Sequence, residues 1–203
     1  MIFKQDQCKD KNLIKTVVPK LHNVTEFQVN KHLTYTGFID QKLKVNVTGN
    51  RLKIPKGDLK NWFFDNPFYD FKRGSTQEAI MKLEDCLELP MGDAEVNRID
   101  IGPTLSMQYD AKLYFRHLGY AKGYKRLDMD NGIIYKGRID SMAIYHKQNQ
   151  LEETGRNLPD DKKGRNHLRA ETRVSKNISD YYSQKVVASD LYHEEFYMKA
   201  IDQ

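Results

Sequence analysis

The chain has 203 residues, with 33 Lys or Arg against 28 Asp or Glu and a formal net charge of +5. That length suits one domain or a domain with a small appendage, and so modest a surplus permits a nucleic-acid partner without demanding one. Mean hydropathy is -0.75, no apolar run approaches the roughly 18 residues of a membrane span, and the opening MIFKQDQCKDKNLIK lacks the unbroken apolar stretch of a secretory signal.

Two cysteines, Cys8 and Cys86, make neither a disulfide framework nor a zinc cluster. A reducing cytoplasm is the expected setting, and the sequons at Asn23, Asn46 and Asn177 are then chance matches. Charge is spread unevenly. Residues 31–60 carry seven basic groups against two acids, 61–120 carry six against ten, and 121–176 carry thirteen against eight. Two basic blocks therefore flank an acidic stretch. This is either ordinary solvated surface or a phosphate-tracking surface beside a site that needs carboxylates.

In chain order, the first clear element is a hairpin. Lys44 to Thr48 and Arg51 to Ile54 are alternating runs about a Gly49-Asn50 turn, both residues tolerating positive φ. Ser75-Thr76-Gln77-Glu78 reads as a capping box in which Ser75 bonds forward and Glu78 back. Ile80, Leu83 and Leu87 then repeat at helical spacing up to Pro90, which predicts a helix over about 75–89.

Ile99, Ile101, Leu105 and Met107 fall at odd positions with Arg98, Asp100 and Ser106 between them, a strand with one polar face, bent at Gly102-Pro103. Leu113, Tyr114 and Leu118 fit a short helix ended by Gly119, and Asp130-Asn131-Gly132 marks a turn. The stretch Ile139 to Lys147 follows, then a polar loop over 154–164. Residues 168–174 alternate again, Leu168, Ala170, Thr172 and Val174 against Arg169, Glu171 and Arg173. The tail, 177–203, reads as one or two helices. Strands with one polar face among helices predict the α+β class: an antiparallel or mixed sheet, one face polar, backed by helices, in a single domain over 1–203.

Three of these strands carry unusual polar groups. Asp100 sits between isoleucines, Glu171 between Arg169 and Arg173, and Tyr145 two residues before Lys147. If the strands are neighbours, two carboxylates, a phenol, a lysine and the arginines share one surface. Paired carboxylates disfavour each other's charge unless a cation lies between them, and oxygen ligands suit Mg2+ or Mn2+. A phenol, with an ordinary pKa near 10, becomes a nucleophile toward a phosphodiester only when a neighbouring cation favours its phenolate. Each piece has a plainer reading, a salt-bridged solvent face above all. The six histidines form no His-x-His pair, and no phosphate-binding Gly-x-x-x-x-Gly-Lys-Ser/Thr loop occurs.

The ordered set Asn97-Arg98-Ile99-Asp100, Ser141 to Lys147, and Leu168-Arg169-Ala170-Glu171-Thr172-Arg173 resembles the gene II/X replication-initiation family of filamentous phages and plasmids. The run 52–60, with Asp65-Asn66-Pro67-Phe68, is similar to the family's preceding segment, so the resemblance covers roughly 45–180. It is similar, more distantly, to other rolling-circle initiators that nick with a tyrosine. The chain departs from the family where Gln148, Asn149 and Gln150 follow the Tyr-x-Lys, and family members are commonly longer.

The resemblance implies site-specific, metal-dependent DNA nicking and strand transfer through a covalent 5′-phosphotyrosine. Tyr145 would be the nucleophile, Lys147 its aid at the phosphate, and Asp100 and Glu171 the holders of Mg2+ or Mn2+. Lys53, Lys56, Arg98, Arg138, Arg169 and Arg173 would contact DNA, a single-stranded or hairpin replication origin. Host helicase and single-strand-binding protein are implied partners, a membrane is not, and the expected location is the host cytoplasm. The alternatives are a non-catalytic origin-binding or copy-control module, and an unrelated α+β protein of a mobile element with a host-protein partner.

Overall fold

The computed structural model describes residues 2–4, 12–55 and 59–201. It is an α+β protein of two antiparallel sheets with helices, and its contacts divide it into two compact units. Among the described residues no helix is long and apolar enough to cross a membrane.

The first unit spans 1–65, 71–97 and 182–203. Its elements are β1 (Ile2–Lys4), α1 (Leu13–Val17), β2 (His22–Val29), β3 (His32–Ile39), β4 (Leu43–Thr48), β5 (Arg51–Lys53), α2 (Leu59–Phe64) and α3 (Arg73–Leu87). The sheet runs β1-β5-β4-β3-β2. The expected hairpin is present as β4–β5, with Thr48 opposite Arg51 and Gly49 at φ +54°. Strict alternation sorts its residues. Leu43, Val45, Val47 and Leu52 are buried, while Lys44, Arg51 and Lys53 are exposed on the other face. Cross-strand pairing places Phe27, Thr34, Thr48 and Arg51 in one row of that second face. Thr36, Asn46 and Lys53 form the next row, and Phe38 and Lys44 a third.

The α3 helix starts earlier than its capping box suggested. Lys72 is the N-cap residue, and Ser75 is the third helical residue, whose hydroxyl accepts the Lys72 amide at 2.9 Å. Ser75 thus plays the backward-reaching part of the box rather than the forward one, and Glu78 lies a turn deeper. The helix ends as expected just before Pro90, with Glu88 in the left-handed region at φ 53°.

The second unit comprises 66–70 and 98–181. It holds β6 (Ile99–Ile101), β7 (Thr104–Met107), α4 (Ala111–Phe115), β8 (Lys125–Met129), β9 (Gly132–Lys136), β10 (Asp140–His146), α5 (Lys147–Glu153), β11 (Asn166–Val174) and the start of α6 (Ile178–Tyr182). The sheet order is β6-β11-β10-β9-β8, and β7 also pairs with β11. The bent strand foreseen over 99–107 is therefore two strands on one partner. They break at Gly102-Pro103, where a Cβ on Gly102 would lie 1.9 Å from the Ala170 carbonyl oxygen. One face of this sheet packs Ile133, Tyr135, Ile144 and Leu168 with Ala111 of α4. The opposite face carries the polar residues. In the first unit the tail supplies α7 (Glu194–Ile201) and the buried Tyr182, whose ring centroid is 5.0 Å from that of Phe196.

Candidate active site on the second sheet

Cross-strand pairs share a face, so the register fixes which of the expected residues meet. Arg173 lies opposite both Asp100 and Ser141, Glu171 opposite Ala143, and Arg169 opposite both Thr104 and Tyr145. Asp100, Tyr145, Arg169, Glu171 and Arg173 thus occupy one face. Ala143, small and buried, leaves room for the phenol to lean diagonally toward Glu171. The Tyr145 hydroxyl reaches Glu171 Oε2 at 3.4 Å.

Glu171 is the centre of an ion-pair network. Arg169 Nε donates to Oε2 at 3.0 Å and Arg173 Nε to Oε1 at 2.7 Å. Arg169 also pairs with Asp70 and donates to the Thr104 hydroxyl at 3.1 Å. The Arg169 and Glu171 side chains are each 7% exposed, Arg173 28%. Burial alone would push the Glu171 carboxyl up, but Arg173 and Arg169 together hold it below the usual glutamate value. Tyr145 behaves oppositely. Burial first, then the Glu171 charge, push its phenol up to about 12 against the pull of the two arginines.

Asp100 stands apart from this pair. It is on the same face but two strands from Tyr145 and four residues along, roughly 16 Å between Cα atoms on ordinary sheet spacings. Arg98 binds it by two nearly parallel bonds, Nε to Oδ1 at 2.8 Å and Nη2 to Oδ2 at 2.7 Å. Lys147 also differs from its expected placement. It opens α5 rather than continuing β10, because the His146 ring accepts the Asn149 amide and caps the helix at that point. The lysine is buried, its Nζ donates to Gln150 Oε1 at 2.8 Å, and it lies 5.9 Å from the Tyr145 ring centroid.

The residues do not form a cage for the expected divalent ion. Both oxygens of Glu171 and both of Asp100 accept bonds from guanidinium groups. Among the described residues, no three His, Cys, Asp or Glu gather where they could hold a metal. Arginine cations stand where the sequence suggested an ion. Of the expected DNA contacts, Arg138 is exposed in the turn between β9 and β10 and Lys53 is exposed on β5 of the first unit, while Lys56 lies outside the described residues.

Sequence reasoning passed over two contributors. Asp70 anchors Arg169 from 99 residues away, a pairing that no local pattern announces. Asn131, in the β8–β9 turn, bonds the Asn149 side chain at 2.8 Å and Glu153 Oε1 at 2.5 Å. Together with Gly132, Ile134, Tyr145, Gln150 and Arg173 it lines a surface pocket of about 320 Å3. The pocket brings the phenol and the more exposed of the two Glu171-bound guanidiniums to one solvent-reached space.

Comparison of the chain with family models, curated proteins and solved structures returned no match in any of the three.

Proposed function

We propose that the chain is a rolling-circle replication initiator that nicks one DNA strand through Tyr145 and holds the 5′ end as a phosphotyrosine. The single observation that supports this reading most is the pocket in which Tyr145 and Arg173 meet, with Glu171 3.4 Å behind the hydroxyl. A phosphodiester entering that space draws the Arg173 guanidinium, since bidentate phosphate binding competes directly with a carboxylate. Glu171 then loses one of its two cations, its basicity rises, and it takes the Tyr145 proton as the phenol attacks phosphorus. Arg169, tied to Asp70, keeps the carboxylate in place. The departing 3′ oxygen takes a proton, a role assigned to Lys147. The free 3′ hydroxyl primes synthesis. An unpaired or extruded strand is the substrate, because a duplex holds its phosphates in a less accessible geometry.

The test is cleavage of a supercoiled origin plasmid, read as SDS-resistant protein–DNA adducts. Tyr145→Phe abolishes adducts, and Glu171→Gln lowers their rate about 100-fold, within the range for loss of a general base. A Tyr145→Phe protein that still forms them removes the proposed nucleophile.

One observation favours a second reading, an origin-binding module that does not cut. The phenol pushed up to about 12 and the Glu171 carboxyl held low describe a pair at rest, a hydrogen-bonded strut within a salt-bridged face. That protein binds origin DNA with salt-dependent affinity and yields no adduct under any condition.

A further inference from the structure

The second face of the first unit's sheet, opposite Val45, Val47 and Leu52, carries three exposed cations, Lys44, Arg51 and Lys53, contributed by adjacent strands β4 and β5. No Asp or Glu shares that face in β2 to β5, because Glu26 pairs with Tyr35 and stands on the other side. Between the cations and the far edge lie side-chain hydroxyl and amide groups that bond one another. The Thr34 and Thr48 hydroxyls meet at 2.9 Å, and the Thr36 hydroxyl donates to Asn46 Oδ1 at 2.9 Å. These polar groups satisfy one another, and Thr34 and Thr36 are themselves buried, so what this face offers to a ligand is the exposed cations and the ring of Phe27. At the β2 edge Phe27 is 44% exposed, in the same row as Arg51 and three strands from it, and half-buried Phe38 lies two rows along on β3.

A face with positive charge on one side, aromatic rings on the other and no acid between has the chemistry of a single-strand platform. Backbone phosphates follow the cations while bases stack on exposed rings. A buried core face does not need cations in register, and a purely solvated face does not need an exposed phenylalanine opposite them. The geometry points to this face as a second DNA site, one that binds single-stranded DNA along Lys44, Arg51 and Lys53 with a base stacked on Phe27. The inference rests on the nicking reading only for the choice of DNA over RNA. It concerns a different unit from Tyr145 and tracks the strand rather than cutting it.

The test uses the full chain and a fluorescein-labelled oligothymidylate in equilibrium anisotropy titrations at several salt concentrations. Each phosphate contact on a single strand contributes about 0.7 to the slope of log affinity against log salt. The triple variant Lys44→Gln, Arg51→Gln, Lys53→Gln therefore lowers that slope by about 2, and Phe27→Ala weakens binding about tenfold or more. All four side chains are exposed, so both variants keep the wild-type circular dichroism and melting temperature. Wild-type slope and affinity in the triple variant overturn the proposal. So does tighter binding of a duplex, or of oligouridylate, than of the DNA single strand. Adduct formation by Tyr145 is scored separately. A chain that never cuts but loses single-strand affinity in the triple variant keeps this site and loses only the nicking reading, and the converse result removes this site alone.

Discussion

The Tyr145 hydroxyl and Glu171 Oε2 are 3.4 Å apart on neighbouring strands, at the long end of a hydrogen bond, and the carboxylate adds to the phenol's hold on its proton. Burial comes first in raising the phenol and Glu171 adds to it, while Arg169 and Arg173 oppose them. The phenol is therefore neutral at physiological pH and needs an acceptor at the moment of attack.

The alkaline titration of Tyr145 follows from this. Its folded value of about 12 exceeds the ordinary 10, so between those limits the unfolded chain releases its proton first and stability falls as pH rises. The loss is on the order of 3 kcal/mol over the whole interval, each tenfold change in proton affinity being ~1.4 kcal/mol. Ultraviolet difference titration of wild type against Tyr145→Phe isolates this phenol. Glu171→Gln shifts its midpoint downward by removing a negative charge. A midpoint near 10 in the wild-type protein contradicts the buried, Glu171-facing placement.

Two carboxylates on one face should differ widely in what they contribute to stability. Glu171 is buried between two guanidiniums, and taking away its charge strands Arg169 with Asp70 alone. Breaking such a buried set costs about 3 kcal/mol, so Glu171→Gln lowers the denaturation midpoint markedly. Asp100 pairs with an arginine that is 43% exposed, and exposed pairs contribute under ~1 kcal/mol, so Asp100→Asn changes little. The Glu171 contribution is present at neutral pH and lost as pH falls below the usual glutamate range, because its folded value is depressed. Urea unfolding of the two variants at pH 7 and at acid pH checks both statements, and equal losses would contradict them.

Divalent cations give a third test. With both Glu171 oxygens and both Asp100 oxygens held by arginines, the free chain gains nothing from added Mg2+ or Mn2+. A competent site filled at 100 times its dissociation constant would add about 2.7 kcal/mol, several degrees of melting temperature for a chain of this size. Differential scanning calorimetry in 10 mM Mg2+ should therefore match that in chelator. A saturable rise lost in Asp100→Asn would restore the ion that the sequence suggested.

Legibility in the sequence tracked how local each signal was. The β4–β5 hairpin and the Arg169-Glu171-Arg173 alternation were readable because a two-residue turn and a period of two are written within ten residues. The β2–β3 hairpin was not. Its turn uses Asn30 and Lys31 at φ 47° and 66°, without the glycine that flags such turns, and all eight residues of β2 are exposed, so no apolar alternation marks it. Strand periodicity alone puts Lys147 on the Tyr145 face, but the His146 ring caps a helix at that point and takes the lysine out of the strand. That Tyr145, Glu171 and the arginines share a face could be supposed from spacing. That Asp100 is offset by four residues from Tyr145, and that Asp70 holds Arg169, depends on register and on a 99-residue separation.

Gly102 makes the link between chain geometry and site directly testable. It lies where β6 gives way to β7 against β11, and the Pro103 carbonyl accepts the Ala170 amide at 3.2 Å. A Cβ there would sit 1.9 Å from the Ala170 oxygen and 2.5 Å from the Glu171 Cα, both backbone-fixed positions that no rotamer change can clear. Gly102→Ala therefore pushes the β6–β7 junction off β11 beside Glu171, at a cost at or above the ~1–3 kcal/mol of ordinary overpacking. The glycine has no positive φ, so the effect is steric closeness rather than backbone strain. Gly119, whose added Cβ would meet nothing within 4 Å, is the control. Gly119→Ala leaves urea unfolding unchanged, whereas Gly102→Ala lowers its midpoint and brings the Tyr145 titration back toward 10 as the Glu171 carboxylate shifts away. Equal stability of the two variants would mean that β6 and β7 do not approach β11 as closely as described.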